Sequence, residues 1–193
     1  MGVIENYKNE RGFTIVELLI VIVIIGILAA LVIVAYTGIT QRAKNTQTTS
    51  TAVAWLKILT NYKTENGSWP ASGVCLGSGY LWGVNEAVSG TGQCRDDGAS
   101  VVLNSNAGFN NGMSKYANGT LPTPAFVTAA NGAAPWKRGI SYFQGGGGLL
   151  RLDVTMAGQD TCPAISNTTV TKNDYTNGNS VCMYTIGNVT DTN

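Results

Sequence analysis

The run Leu18–Ala35 constrains this chain more than any other feature. It holds no charge and no strong polar group. Phe13–Ala35 spans roughly 34 Å as a helix at about 1.5 Å per residue, against a hydrocarbon core of about 30 Å. The stretch therefore reads as a membrane-spanning helix. A secretory signal peptide has a shorter apolar region, about 7–15 residues, behind a basic leader. Here Glu5, Lys8, Glu10 and Arg11 cancel, and no convincing A-x-A site follows. Glu17 stands at the edge of the run. A carboxylate within a bilayer is costly and usually has a partner. The plain alternative is a side chain that snorkels to the interface.

Flanking charge leaves orientation open: Lys8 and Arg11 precede the span, and Arg42 and Lys44 follow it. The cysteines decide it. Cys75, Cys94, Cys162 and Cys182 all lie after the span. An even count behind a membrane segment points to disulfides in an oxidising space, which puts the N-terminus in the cytoplasm and the head outside. Four cysteines allow three pairings. Cys75–Cys94 and Cys162–Cys182 are favoured because each closes a compact loop, worth about 3 kcal/mol in the chain-entropy model. Four buried free thiols are the alternative.

The chain has no histidine. That removes the commonest general base, the commonest metal ligand and every Ser–His or Cys–His pair. No CxxC suggests zinc or redox chemistry. The expectation is no enzyme, no metal and no cofactor. From residue 73 onward six basic and seven acidic residues balance without a basic patch, so nothing speaks for nucleic-acid binding. The oxygen-rich "KNDYTNGNS" (172–180) holds Asn173, Asp174, Asn177 and Asn179. With one charge among them, a turn is favoured over a calcium loop. The N-x-S/T patterns at Asn66, Asn118, Asn167 and Asn188 are expected by chance in a chain this rich in Asn and Thr.

"RGFTIVELLIVIVIIGILAALVIVAY" resembles the N-terminus of type IV pilins and their relatives, the pseudopilins. The matching elements are a short polar leader ending in Gly12, then Phe13, Thr14, Glu17 and the apolar helix. "YKTENGSWP" (62–70) is a weaker second likeness. The resemblance implies that a prepilin peptidase cuts between Gly12 and Phe13 and methylates the new Phe13 amine. It implies that Glu17 of one subunit pairs with the Phe13 amine of its neighbour in a helical homopolymer, with pairing inside one subunit as the alternative. It also implies an inner-membrane assembly platform and an ATPase, and an extracellular filament built from a membrane pool. The first reading is a pilus subunit. The alternatives are a pseudopilin of a type II secretion system, or a minor pilin with an adhesion or DNA-uptake role. Many pilins carry a proline where this chain has Val34, so the helix here is expected to be more continuous.

The expected organisation is a leader over 1–12, a membrane half of the helix over 13–35, an amphipathic half over 36–66 and a disulfide-bearing head over 67–193. Ala52, Leu56, Leu59 and Tyr62/Lys63 recur at helical spacing, widened by Val53 and Trp55. Thr46–Thr51 is weak in helix propensity. Asn66-Gly67 and Pro70 end the helix. Residues 71–138 read as loop-rich, with a short strand in "GASVVLNS" (98–105) and an extended piece in "LPTPAF". "GISYFQ" (139–144), "LLRLDVTMAG" (149–158) and "SVCMYTIG" (180–187) read as strands, and Gly145–Gly148 supplies the turn between the first two. In the second, Leu150, Leu152, Val154 and Met156 alternate with Arg151, Asp153 and Thr155, which predicts one buried and one wet face. The expected fold class is α+β: a long N-terminal helix packed on a small antiparallel sheet.

Overall fold

The computed structural model describes residues 12–80, 93–95, 102–131, 134–158, 160–174 and 178–191. The polar leader before Gly12 therefore lies outside the described residues. The chain divides into two compact units, Met1–Thr40 and Gln41–Asn193. Helix α1 covers Ile15–Asn66 and passes through Gly26 and Gly38 without interruption, as expected of a segment with no proline. It stops at Gly67, whose φ of +75° is the left-handed conformation that favours glycine after a helix.

The second unit is built on a seven-stranded sheet. In chain order the strands are β1 (Val74–Cys75), β2 (Gln93–Arg95), β3 (Val102–Ser105), β6 (Ile140–Gln144), β7 (Leu149–Met156), β8 (Thr169–Asp174) and β9 (Ser180–Asn188). β4 (Val127–Asn131) and β5 (Ala134–Arg138) form a separate two-stranded hairpin. The sheet order is β2-β3-β1-β6-β7-β9-β8. Neighbours are antiparallel except β1 and β3, which pair in parallel. A short helix α2 (Ala107–Met113) follows β3, capped by the Asn106 side chain, which accepts from Phe109 N–H. The α+β class holds, and the three expected strands are β6, β7 and β9. The loop-rich reading of 71–138 missed β1, β2, α2 and the β4–β5 hairpin. Of the expected strand in 98–105, Val102–Ser105 forms β3, and Gly98–Val101 lie outside the described residues.

One face of the sheet packs on the head half of α1. Leu150, Leu152, Val154 and Met156 of β7 are buried there with Tyr142, Cys182 and Tyr184, against Ala52, Trp55, Ile58 and Leu59. The helical stripe differs from the expected one. Trp55 is its fully buried centre, Leu56 is only partly buried, and Val53 is 47% exposed. The buried face also runs back through Thr51, Thr48 and Asn45. Polar residues bury here because their donors find fixed acceptors. Thr48 and Thr51 hydroxyls donate to the Ala125 and Thr123 carbonyls, and the Trp55 indole N–H donates to the Pro122 carbonyl at 2.9 Å. The extended "LPTPAF" piece thus runs along the helix and offers it a row of carbonyls. Farther up, Asn45 binds both Ala157 backbone groups and donates to Asp160.

The other face of β7 is not wet. Asp153 and Thr155 are buried. Asp153 Oδ2 accepts from Arg151 Nη2 at 3.0 Å, and the Arg151 guanidinium lies 4.3 Å from the centre of the Phe143 ring. Beside them Cys75 and Tyr80 form a second cluster with Phe126 and Phe143. Alternation alone could not distinguish a solvated face from one carrying a paired charge under a second layer. Gly139 belongs to this layer: a Cβ there would meet the Tyr80 hydroxyl and the Pro124 ring at 2.8 Å. Burial also pushes the Tyr80 hydroxyl well above the ordinary tyrosine range.

Candidate functional site

Thr14 and Glu17 build the start of α1 between them. The Glu17 N–H donates to Thr14 Oγ1 at 3.2 Å, while Glu17 Oε2 accepts from Thr14 N–H at 2.9 Å and from Thr14 Oγ1 at 2.8 Å. This is a capping box, in which a first-turn Glu and a cap Thr satisfy each other's orphan groups. The T-x-x-E spacing at Thr14–Glu17 is the sequence signal of this box, which the membrane reading of Glu17 leaves out. The carboxylate is exposed, but it is not bare. Because Thr14 holds it, Glu17 keeps two local donors while no other partner is present.

Gly12 and Phe13 precede the cap. Phe13 is 86% exposed, and a Cβ on Gly12 would meet nothing within 4 Å. Among the described residues nothing imposes a need for glycine there. Beyond Glu17, no residue of the apolar run is buried, and α1 is long and apolar enough to cross a membrane. The described residues thus bring Thr14 and Glu17 into contact.

Of the expected disulfides, Cys162–Cys182 is present, bridging the segment after β7 to β9. Cys75 is also disulfide-bonded, while the Cys94 side chain lies outside the described residues. Part of "KNDYTNGNS" (175–177) is outside them as well, and residues 172–174 belong to β8. Among the described residues no group of three or more His, Cys, Asp or Glu could hold a metal ion.

The capping box yields a graded expectation. Thr14→Ala removes the cap hydroxyl, worth about 1 kcal/mol of helix-start stability, whereas Thr14→Ser retains it. Circular dichroism of the processed chain in detergent should show fraying confined to the first turn for Thr14→Ala and none for Thr14→Ser. Equal spectra for all three chains would remove the cap from consideration.

Residues 7–33 match the family model of the prokaryotic N-terminal methylation motif. The chain is 38% identical over 68 residues to a fimbrial protein of Neisseria meningitidis serogroup A, covering 35% of this chain and 40% of that one. It is equally identical over 68 residues to a type IV major pilin protein PilE1 of Neisseria gonorrhoeae, covering 35% and 41%. A type II secretion system core protein G of Dickeya chrysanthemi is 37% identical over 71 residues, covering 37% and 46%. The chain thus spans less than half the length of these curated relatives. No solved structure matches it. The motif and the apolar helix fit a membrane-anchored precursor.

Proposed function

We propose that this chain is a structural subunit of a type IV pilus-like surface filament. It is made as a single-pass membrane precursor, cut between Gly12 and Phe13, methylated on the Phe13 amine and polymerised through α1. The observation that carries this reading is the conjunction at one end of α1. The methylation motif over 7–33 coincides with a capped Glu17 and an apolar run whose side chains are exposed. Exposed apolar side chains on this scale mark a membrane or protein interface. That no described residue crowds Gly12 supports an outside requirement for glycine: a peptidase that needs an unobstructed backbone at the scissile bond.

Assembly follows from the charges. Cleavage creates a cationic amine on Phe13 at the edge of an apolar run, and Glu17 is the one acidic residue from Gly12 to Thr64. In a packed helix bundle the amine of one subunit meets Glu17 of its neighbour, and two costly charges are neutralised together. The chemistry is recognition and polymerisation, with the prepilin peptidase, an assembly platform and an ATPase as partners. Filament protein sheared from cells should begin at N-methyl-Phe13 by N-terminal sequencing and mass spectrometry. A start at Met1, or near Tyr36, would sink the proposal.

The likeness to a type II secretion core protein keeps the pseudopilin as a second reading. Deleting the chain separates the two: loss of surface filaments with normal secretion marks the pilus subunit, and loss of secretion marks the pseudopilin.

A further inference from the structure

We infer that the head binds an acidic sugar in the cavity between the last turns of α1 and the segment that follows Cys162. The cavity measures about 520 Å3, within the range of about 300–1,000 Å3 common to small-ligand pockets. Lys57, Asn61 and Lys63 line it from the helix, Trp69 from beyond the helix stop, and Ser166 and Asn167 from the far side. Both walls are fixed in advance, as a binding site requires. The far wall is tied to β9 by Cys162–Cys182 and by the Tyr184 hydroxyl, which donates to the Pro163 carbonyl at 2.7 Å. Ile165 anchors it in the core. Trp69 is held by its edge: a Cβ on Gly187 would meet the indole Nε1 and Cζ2 at 2.9 Å, so the glycine in β9 leaves the space that the ring fills. The Trp69 Nε1 is buried there without a hydrogen-bond partner among the described residues. The fold carries that cost while it keeps the ring at the cavity wall, and an orphaned buried donor in such a place points to function.

The lining selects the ligand. It holds two lysines and no carboxylate, which favours an anion over a cation. Lys63 Nζ stands 5.2 Å from the centre of the Trp69 ring, so charge and aromatic surface are side by side. Among the described residues the Lys57, Asn61, Ser166 and Asn167 side chains make no hydrogen bond or ion pair. In the neighbouring cavity around Asn45 such groups are spent, because the Thr46, Thr49 and Ser50 hydroxyls each donate to the carbonyl four residues back. Two amides and a hydroxyl offer donors and acceptors together, which adjacent sugar hydroxyls complement. The indole offers an apolar surface, which the C–H face of a pyranose covers. A sugar ring with an anionic group uses all three features. A fatty acid would leave the amides unpaired, and an inorganic anion would leave the indole bare.

Titration calorimetry and saturation-transfer NMR on the full chain in detergent test this, with sialyllactose, digalacturonate and lactose as probes. Sialyllactose stands for a sialylated glycan and digalacturonate for a polyuronate, so the pair also separates two sources of acidic sugar. At least one of them should bind about tenfold or more tighter than lactose and weaken as salt is raised. Irradiation of the aromatic protons should carry saturation onto the ring protons of the bound sugar. The double variant Lys57→Gln, Lys63→Gln should bring the acidic probe down to the level of lactose. Trp69→Ala should weaken every probe about tenfold or more and remove the saturation transfer. Asn61→Ala, a change at an exposed position, should weaken binding with the near-ultraviolet circular dichroism of the head unchanged, which keeps the test clear of misfolding. Absence of binding at millimolar probe, equal binding of acidic and neutral probes, or full affinity in the double lysine variant would each overturn the inference.

Discussion

Glu17→Ala is expected to abolish surface filaments, by about a hundredfold or more, and to leave membrane insertion and cleavage after Gly12 intact. The two states to compare are the membrane pool and the filament. In the pool, Glu17 already has Thr14 N–H and Oγ1 as donors, so its loss there is a local change at the helix start. The same local loss occurs in the filament and cancels. What does not cancel, in the proposed filament, is the neighbour's Phe13 amine, which would enter the bundle charged and find no counter-charge. A buried charge left without its partner is strongly destabilising, and each 1.4 kcal/mol is tenfold in the partition between filament and pool. Glu17→Gln keeps an oxygen that can accept a hydrogen bond and should be milder. Under the proposed function insertion rests on Leu18–Ala35 and cleavage on the Gly12–Phe13 bond, neither of which the variant touches. Processed subunit and sheared filament, quantified from the same cells, decide the matter. Normal filament yield from Glu17→Ala would reduce Glu17 to a capping residue.

The features legible in the sequence were those set by neighbours a few residues away. The apolar run and the stop at Asn66-Gly67 each depend on local spacing, and each is present. The failures share a different cause. β1 is two residues long and exists only because β3 and β6 flank it. Thr48 and Thr51 look like weak helix formers and are buried because the carbonyls of residues 123 and 125 reach them from a segment more than 70 positions away. Asp153 alternates like a solvent-facing residue and is buried because Arg151, two positions earlier, pairs with it under a second layer. At the candidate site the relation was inverted. The T-x-x-E box is local and legible in the spacing of Thr14 and Glu17, but in an apolar run the same Glu also reads as a lone membrane charge, and the two roles share one residue.

Trp55→Ala should be the most damaging single change in the head. The side chain is fully buried between α1 and the sheet, beside Ala52 and Leu59. Truncating a buried Trp typically costs about 3–5 kcal/mol through lost transfer energy and the cavity left behind. It also leaves the Pro122 carbonyl without the indole N–H that now donates to it at 2.9 Å, a further penalty of about 1–3 kcal/mol where no water replaces the donor. Against a typical domain stability of about 5–15 kcal/mol, that is enough to unfold a large fraction of heads. Trp55→Phe separates the two contributions, since it keeps most of the buried apolar area and loses only the donor. Thermal unfolding of the processed full chain in detergent, followed by near-ultraviolet circular dichroism, should show a midpoint lowered by about 10 °C or more for Trp55→Ala and by clearly less for Trp55→Phe. The Cys162–Cys182 bridge still constrains the unfolded chain in both variants, so it does not alter their order. A midpoint for Trp55→Ala within 2 °C of the unaltered chain would mean that the helix does not anchor the sheet through this residue. The row of carbonyls along Pro122–Ala125 would then have to hold α1 through Thr48 and Thr51 alone.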